Sequence, residues 1–353
     1  MKNEFDLSFY KGKKVLITGH TGFKGSWMCK MLKILGAEVY GYSLNPPTDP
    51  SLFRIACVSR DAESFIGDIR DPESLKKFVR ETAPEIVIHM AAQPIVRDSY
   101  NDPVYTYETN VMGTVHILEA VREAGSVKSF LNVTTDKVYL NNEWCWPYRE
   151  DDKLDGYDPY SNSKSCSEIV THSYRKCFLN PAGVAVSTAR AGNVIGGGDF
   201  ASFRIVPDCV RAIRDSAEMT IRNPDSIRPY QHVMEPVYAY LMICARQYED
   251  NALSGEYNVG PNDTDCVTTE ALVEKFNHYY DNELKVIIQP DDGPREANYL
   301  KLDCSRLKSV FGWKPRWSID NAVEKTAAWV KAWLGGADMS QYTEEQVREY
   351  LGI

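Results

Sequence analysis

Residues 14–25, KVLITGHTGFKG, decide how the rest of the chain is read. A short apolar run ends at Gly19, glycines recur at Gly22 and Gly25, and an apolar-periodic helix pattern begins at once. The first glycine lets the chain turn tightly after a strand. The second removes a side chain where backbone must approach a phosphate, and the third lets the helix pack closely on the strand. Amide N–H groups at the helix N-terminus then face the phosphates. His20 and Lys24, inside the loop, are placed to add donors near a pyrophosphate. Three glycines are also compatible with a purely structural turn, so the decision rests on the segments downstream.

Those segments alternate between strand and helix. Phe23, Trp27, Met31 and Leu35 share one side of a helix, with Gly36 as its stop. A second strand is expected over residues 38–42 and a third over 65–69, carrying Asp68. Asp71-Pro72-Glu73 then supplies the cap, the proline at N1 and the first-turn acid of a new helix. Residues 85–89 read as a fourth strand. The small residues Ala91 and Ala92 behind it suit either the close approach of a ligand or a plain strand-to-loop transition. A long helix is expected over 104–123, with Tyr107, Val111, Thr114, Leu118 and Val121 on one face and Gly125 closing it. Strands over 129–134 and 185–190 flank a mostly helical stretch at 157–178.

Right-handed crossovers between such strands give a parallel sheet covered on both faces, a Rossmann-like doubly wound α/β fold. Half a TIM barrel begins the same way. The long helices, the single glycine loop and the loss of alternation after residue 190 favour the doubly wound sheet. Later helices are expected at 237–248, 270–280 and 320–334, with a strand at 256–259 returning to the sheet. A smaller, interleaved α/β substrate domain is therefore expected from residues 191–230, 260–300 and 331–353. The dinucleotide-binding domain takes 1–190, with 231–259 and 301–330 returning to it.

The 353 residues are 43% hydrophobic and 25% charged, which describes an ordinary globular protein. A formal net charge of -9, with no basic stripe, argues against duplex binding. It still allows an anionic small molecule in a locally basic pocket. Nine cysteines at scattered spacings include no C-x-x-C pair and read as free thiols in a reducing compartment. The first residues lack an apolar signal core, and no run approaches about 18 apolar residues. A cytoplasmic protein with no membrane and no nucleic-acid partner is expected. The six histidines form no H-x-x-x-H pattern, so no metal site is expected.

Tyr160 and Lys164 lie four apart in PYSNSK, one turn apart on one helix face. A phenol titrates near 10, too high for a base at neutral pH, unless positive charge beside it favours the phenolate. With Lys164 and an oxidised nicotinamide nearby, Tyr160 suits removal of a hydroxyl proton during hydride transfer. A solvated Tyr and Lys on a polar helix show the same spacing, but the pair downstream of a glycine loop is far more specific. Thr134-Thr135-Asp136-Lys137 ends strand five, where open α/β sheets place ligands. Its hydroxyls suit a sugar oxygen and Asp136 suits an acid, though a cap-and-turn cluster looks similar. Asn110, a poor helix former inside a helix, suits either a functional network or a local buried bond. Arg190, Arg204, Arg228 and Arg295 are candidates for bidentate diphosphate contact, or for ordinary ion pairs. No acid follows the second strand to hold an adenosine ribose, and no arginine stands there for a 2′-phosphate.

The phrases GHTGFKG, GDIRD, HMAAQ, YETNVMGT, TTDKVY and PYSNSK together resemble the extended short-chain dehydrogenase/reductase superfamily, in its nucleotide-sugar branch, over essentially the whole chain. Longer phrases, GYSLNPPTDPSLF, RAGNVIGGGDF and RPYQHVMEPVYAYL, are similar to the CDP-glucose 4,6-dehydratases of that branch. The resemblance implies a bound NAD and a cycle on CDP-glucose: oxidation at C4, loss of the C5 proton with the C6 hydroxyl, and return of hydride to C6. It implies that Tyr160 is the base at the C4 hydroxyl, with Lys164 beside it and Thr135 bonding the same oxygen. In the dTDP-glucose dehydratases the residues after the threonine are Asp, the C6 acid, then Glu, the C5 base. Asp136 matches the first, and Lys137 stands in place of the second. A lysine base must be neutral when it acts, which burial or positive neighbours favour.

By the same resemblance the cofactor is held by Gly19, His20, Gly22, Phe23, Lys24, Gly25, Ser43, Asn45, Asp68, Ile69, Ala91, Ala92 and Asn110, besides Tyr160 and Lys164. Gln93, Arg97, Asn193, Arg204, Arg228 and Arg295 bind substrate, and the chain forms a homodimer or homotetramer through its long helices. A nucleotide-sugar 4-epimerase, another 4,6-dehydratase and a silent dinucleotide sensor are the alternatives. An epimerase needs no C6 acid, so Asp136 separates it. The intact Thr135, Tyr160 and Lys164 argue against a sensor.

Overall fold

The computed structural model describes residues 5–289 and 299–353. Seven parallel strands form the central sheet: β1 (Lys14–Thr18), β2 (Glu38–Ser43), β3 (Glu63–Ile66), β4 (Ile86–His89), β5 (Ser129–Thr135), β6 (Ala185–Ala191) and β7 (Glu256–Val259). Their order across the sheet is β7-β6-β5-β4-β1-β2-β3, so the strand order, not the strand direction, switches between β1 and β4. Ligands of open α/β sheets bind at the carboxyl ends of the strands at such a switch point.

Period-two alternation splits the strand side chains between two cores. Val15, Ile17, Ile86, Ile88, Leu131 and Val133 face one, while Leu16, Val87 and Phe130 face the other. Helices cover both faces, which is why these strands read as continuous apolar runs. The long helices are α1 (Phe23–Ile34), α2 (Pro72–Thr82), α3 (Gly113–Ala124), α4 (Pro159–Tyr174), α5 (Ile205–Arg214), α6 (Met234–Glu249), α7 (Thr269–Tyr279), α8 (Ile319–Leu334) and α9 (Met339–Leu351). Their starts follow local chemistry: Asp71 caps α2 and Asp158 caps α4, each with proline in the first turn. Ser318 and Asn321 form a reciprocal capping box on α8. The C-terminal α9 returns to α1, where Lys30 Nζ donates to Ser340 Oγ at 3.1 Å. None of the described helices is long and apolar enough to cross a membrane.

Two expectations need correction. β3 runs over Glu63–Ile66 rather than 65–69, because it pairs only with β2 and β2 ends at Ser43, opposite Ile66. Asp68 therefore lies past the strand end. The helix expected over 104–123 is interrupted: a π turn at Glu108–Met112 separates Pro103–Tyr107 from α3. The wider turn shifts the periodic frame. Tyr107 is thus exposed while Thr114, Leu118 and Val121 are buried.

Outside the sheet the chain makes small pairs. Val194–Ile195 pairs with Gln231–His232, Ile227–Arg228 with Val267–Thr268, and Glu218–Ile221 with Lys285–Ile288. The second pair carries Arg228 close enough to Asp136, just past β5, for its charge to act there.

Candidate active site

The glycine loop is a cradle that side chains would fill. Gly19 has φ +80°, and a Cβ there would lie 2.8 Å from the Ala91 amide nitrogen. A Cβ on Gly25 would lie 2.2 Å from the Gly19 carbonyl oxygen, an impossible approach. Gly22 is the N-cap of α1 and no side chain caps it. A Cβ there would meet only the Gly19 oxygen, at 3.4 Å, so its outer side is open. An uncapped N-terminus on a twelve-residue helix at the switch point fits a dinucleotide pyrophosphate. Ser43, at the end of β2, hydrogen-bonds Thr21 Oγ1 at 2.9 Å, and Asn45 is exposed beyond it. Asp68 is half-buried and held by Arg70 at 2.7 Å, which keeps its carboxyl below the usual range. Ala91 donates its amide to Thr18 Oγ1 at 3.1 Å, and Ala92 beside it is half-buried.

Three residues expected at the cofactor turn inward instead. The His20 ring occupies the space left by Gly41, where a Cβ would lie 2.3 Å from it, and its Nε2 bonds Ser64 Oγ at 2.6 Å. Burial lowers its pKa to about 4, so it adds no positive charge to the loop. The Ile69 side chain is buried against Gly113. Asn110, fully buried in the π turn, accepts the Gln93 amide at 2.8 Å and donates to Ser163 Oγ at 2.9 Å. It ties the turn after β4 to α4. Phe23 packs near Gly196.

At the end of β5 the charged groups converge. Thr135 donates to Asp136 Oδ1 at 3.0 Å and shares a side-chain hydrogen bond with Tyr160. Burial pushes the Tyr160 phenol up to about 12, while Thr135 and the Arg204 charge pull it down. Lys164, one turn along α4, is buried and donates to the Val133 carbonyl at 3.2 Å. Burial lowers its pKa to about 8, opposed by Glu168. Lys24 reaches across from α1 to Tyr240 Oη at 3.4 Å. Burial and the Arg204 and Lys164 charges lower it to about 7. Asp136 is 1% exposed and its Oδ2 has no hydrogen-bond partner. Burial holds its carboxyl above the ordinary range, against the pull of Lys137, Thr135 and Arg228. Half-buried Lys137 projects from the same turn. A phenol bonded to a hydroxyl, a carboxyl kept toward its protonated form and a set of cations can handle proton transfers on a polar, anionic substrate.

The arginines divide. Arg190 is buried under the sheet end in an ion pair with Glu168 at 2.9 Å and does not face the site, which corrects its reading as a diphosphate candidate. Arg228 is buried close enough to act on Asp136, and Arg204 pairs with Asp199 at 2.9 Å while facing Tyr160. Both thus stand beside Asp136 or Tyr160. Arg97 lies over the Phe203 ring, and Asn193 is half-buried, its carbonyl accepting the Gln231 amide at 3.1 Å. The Gln93 side-chain amide donates to Ile95 O and Thr106 Oγ1, so it stiffens the turn beside the site. Arg295 lies outside the described residues. Sequence reading missed Tyr240, Asp199 and Ser99, whose Oγ accepts the Tyr160 amide at 3.2 Å. They come from distant segments, and no local spacing marks them.

Residues 16–326 match the model of the GDP-mannose 4,6-dehydratase family. The chain is 47% identical to a CDP-glucose 4,6-dehydratase of Salmonella typhimurium over 98% of each chain. It is 25% identical to a dTDP-glucose 4,6-dehydratase of Shigella flexneri over 96% of this chain and 99% of the other. In fold it is similar to the UDP-glucose 4-epimerase of Stenotrophomonas maltophila with bound NAD. That likeness has a TM-score of 0.81 and 22% identity, over 92% of this chain and 100% of the other.

Proposed function

The chain belongs to the GDP-mannose 4,6-dehydratase family, and from that premise we propose that it converts CDP-D-glucose to CDP-4-dehydro-6-deoxy-D-glucose and water with NAD as resident cofactor. The observation that carries this reading is buried Asp136, its carboxyl held toward the protonated form beside Thr135 and Tyr160. Moving a hydride at C4 alone requires no such acid. Expelling the C6 hydroxyl does.

The residues that would hold NAD are those of the glycine cradle, with Ser43 and Asn45 toward the ribose, Asp68 toward the adenine, and Tyr160 and Lys164 toward the nicotinamide. Held there, NAD would supply the hydride acceptor for C4 and the hydride donor for C6, and its charge would add to that favouring the Tyr160 phenolate. Tyr160 takes the proton of the C4 hydroxyl, and the Thr135 hydroxyl orients that oxygen. Arg204, held by Asp199, supplies positive charge beside the phenolate as it forms. The 4-keto group acidifies C5, and Lys137 takes the C5 proton. Asp136 gives its proton to the C6 oxygen as that bond breaks, so water leaves rather than hydroxide. Arg228 then balances the Asp136 carboxylate.

In this reading residues 1–190, with 231–259 and 301–330, bind the dinucleotide. Residues 191–230, 260–300 and 331–353 serve mainly the nucleotide sugar, with Arg97 and Asn193 at its diphosphate and glucosyl end. Two chains pair through the helices that carry exposed Val104 (66%), Met112 (46%), Ile169 (57%) and Phe178 (47%), an apolar set that calls for a cover. The reaction is cytoplasmic, which suits nine cysteines that are all free. Purified chain given CDP-, dTDP-, UDP- and GDP-glucose in turn tests the substrate: CDP-glucose should form the 4-keto-6-deoxy product fastest. Turnover of another nucleotide with none of CDP-glucose contradicts the assignment.

A further inference from the structure

Phe203 has a geometry that the proposed reaction leaves unused. Its φ is +62°, a left-handed conformation that bulky side chains rarely adopt and that gathers at ligand clamps. The residue is 51% exposed, so burial of apolar surface does not repay the strain. The backbone instead presents the ring to Arg97, whose guanidinium carbon lies 5.0 Å from the ring centroid. The two residues come from segments far apart in the chain. Arg97 sits on the short helix Val96–Asn101 after β4, and Phe203 on the loop between Val194–Ile195 and α5.

Both segments are tied to the proposed base. Ser99, two residues beyond Arg97, accepts the Tyr160 amide at 3.2 Å. Arg204, the neighbour of Phe203, is held by Asp199 at 2.9 Å, and its charge acts on the Tyr160 phenol. The Arg97–Phe203 contact therefore closes a ring of residues around Tyr160. The root of the loop is braced: Phe200 packs edge-on to Trp333 at 4.9 Å, and Arg211 donates to the Phe200 carbonyl at 3.1 Å. The cation–π contact thus lies beyond the braced root of the loop, at the exposed Phe203.

We infer that the Arg97–Phe203 contact is a latch over the sugar pocket that keeps the oxidised sugar against Tyr160 until the cycle is complete. This rests on the proposed dehydratase activity. Oxidation at C4 removes two electrons and two protons from the sugar, as one hydride to NAD and one proton to Tyr160. A 4-keto-glucose nucleotide that escapes at that stage leaves a reduced dinucleotide on the chain and no elimination product. Retention is therefore part of the chemistry, and Phe203 is a positioning residue for it.

The test uses holoenzyme and CDP-glucose with three variants: Phe203→Ala, which removes the ring; Phe203→Gly, which removes it and relieves the backbone; and Phe203→Tyr, which keeps it. An exposed cation–π contact corresponds to an about two- to fivefold change in an equilibrium. CDP-glucose should leave Phe203→Ala and Phe203→Gly that much faster in a displacement experiment. The dinucleotide left reduced after one turnover, with free 4-keto-glucose nucleotide in equal amount, should rise by the same factor. Phe203→Tyr should match wild type. Phe203→Gly, which accepts the positive φ, should melt above Phe203→Ala, so a folding defect cannot mimic the leak. Unchanged dissociation and no excess reduced dinucleotide in both ring-less variants, with wild type turning over, overturn the latch alone. A wild-type chain that makes no 4-keto-6-deoxy product from CDP-glucose overturns the dehydratase reading and the latch with it.

Discussion

Replacing Asp136 by Asn should separate stability from catalysis. The carboxyl is 1% exposed, accepts one hydrogen bond from Thr135 at 3.0 Å, and leaves Oδ2 without a partner. Desolvation is the largest influence on it and outweighs Lys137, Thr135 and Arg228, so the folded state disfavours the charged form. A carboxyl whose folded pKa is raised adds stability below its unfolded pKa and loses it as pH rises through the folded value. At neutral pH the ionisation penalty is therefore in force, and Asp136→Asn removes it. A buried unsatisfied polar group costs about 1–3 kcal/mol. Because Asn keeps an amide to satisfy and Arg228 loses a counter-charge, the gain should fall near the low end, about 1 kcal/mol. Loss of a general acid should meanwhile slow water elimination by about 100- to 10,000-fold. Thermal melting at pH 7 reads the first effect. Rapid mixing with CDP-glucose in deuterated water reads the second: reduced dinucleotide should accumulate and C5 should exchange, but the deoxysugar should not form. A D136N enzyme that melts below wild type would show that the buried carboxylate is not penalised, and one that eliminates water at the wild-type rate would show that Asp136 is not the acid.

Tyr160→Phe removes one hydroxyl at the Thr135 contact, so dinucleotide content should be kept while turnover falls by about 100-fold or more; near-normal kcat at saturating CDP-glucose would remove Tyr160 from its role. Lys24→Met should raise the melting temperature most at and below pH 7 and progressively less toward pH 10. The reason is that Lys24 is lowered to about 7 in the fold, so the cost of its charge is full below that value and vanishes above its unfolded pKa. A difference between Lys24→Met and wild type that does not change with pH would show that the Lys24 charge is not penalised there.

Most of the sheet was legible because buried parallel strands are short apolar runs and the caps of α2 and α4 are written in adjacent residues. That Tyr160 and Lys164 sit one turn apart on α4 was legible because their spacing puts them on one helix face. The features that escaped depend on contacts between distant segments. The end of β3 is set by its partner β2. The direction of the His20 ring is set by Gly41 and Ser64, neither of which marks His20 in sequence. Arg190 and Arg204 look alike in the chain, yet Glu168 takes one into the core and Asp199 holds the other at Tyr160. The π turn at Asn110 was unreadable for a related reason: its register answers to Gln93 and Ser163, side chains on two other elements.

In the proposed cycle hydride leaves C4 and returns to C6 of the same sugar. CDP-glucose carrying deuterium at C4 tests it in one measurement, by locating the label in the product. The expected product is a 4-keto-6-deoxy sugar with the deuterium in its C6 methyl group. Deuterium retained at C4 of a galacto-configured nucleotide, with the C6 hydroxyl intact, would contradict that cycle and show that the chain is an epimerase.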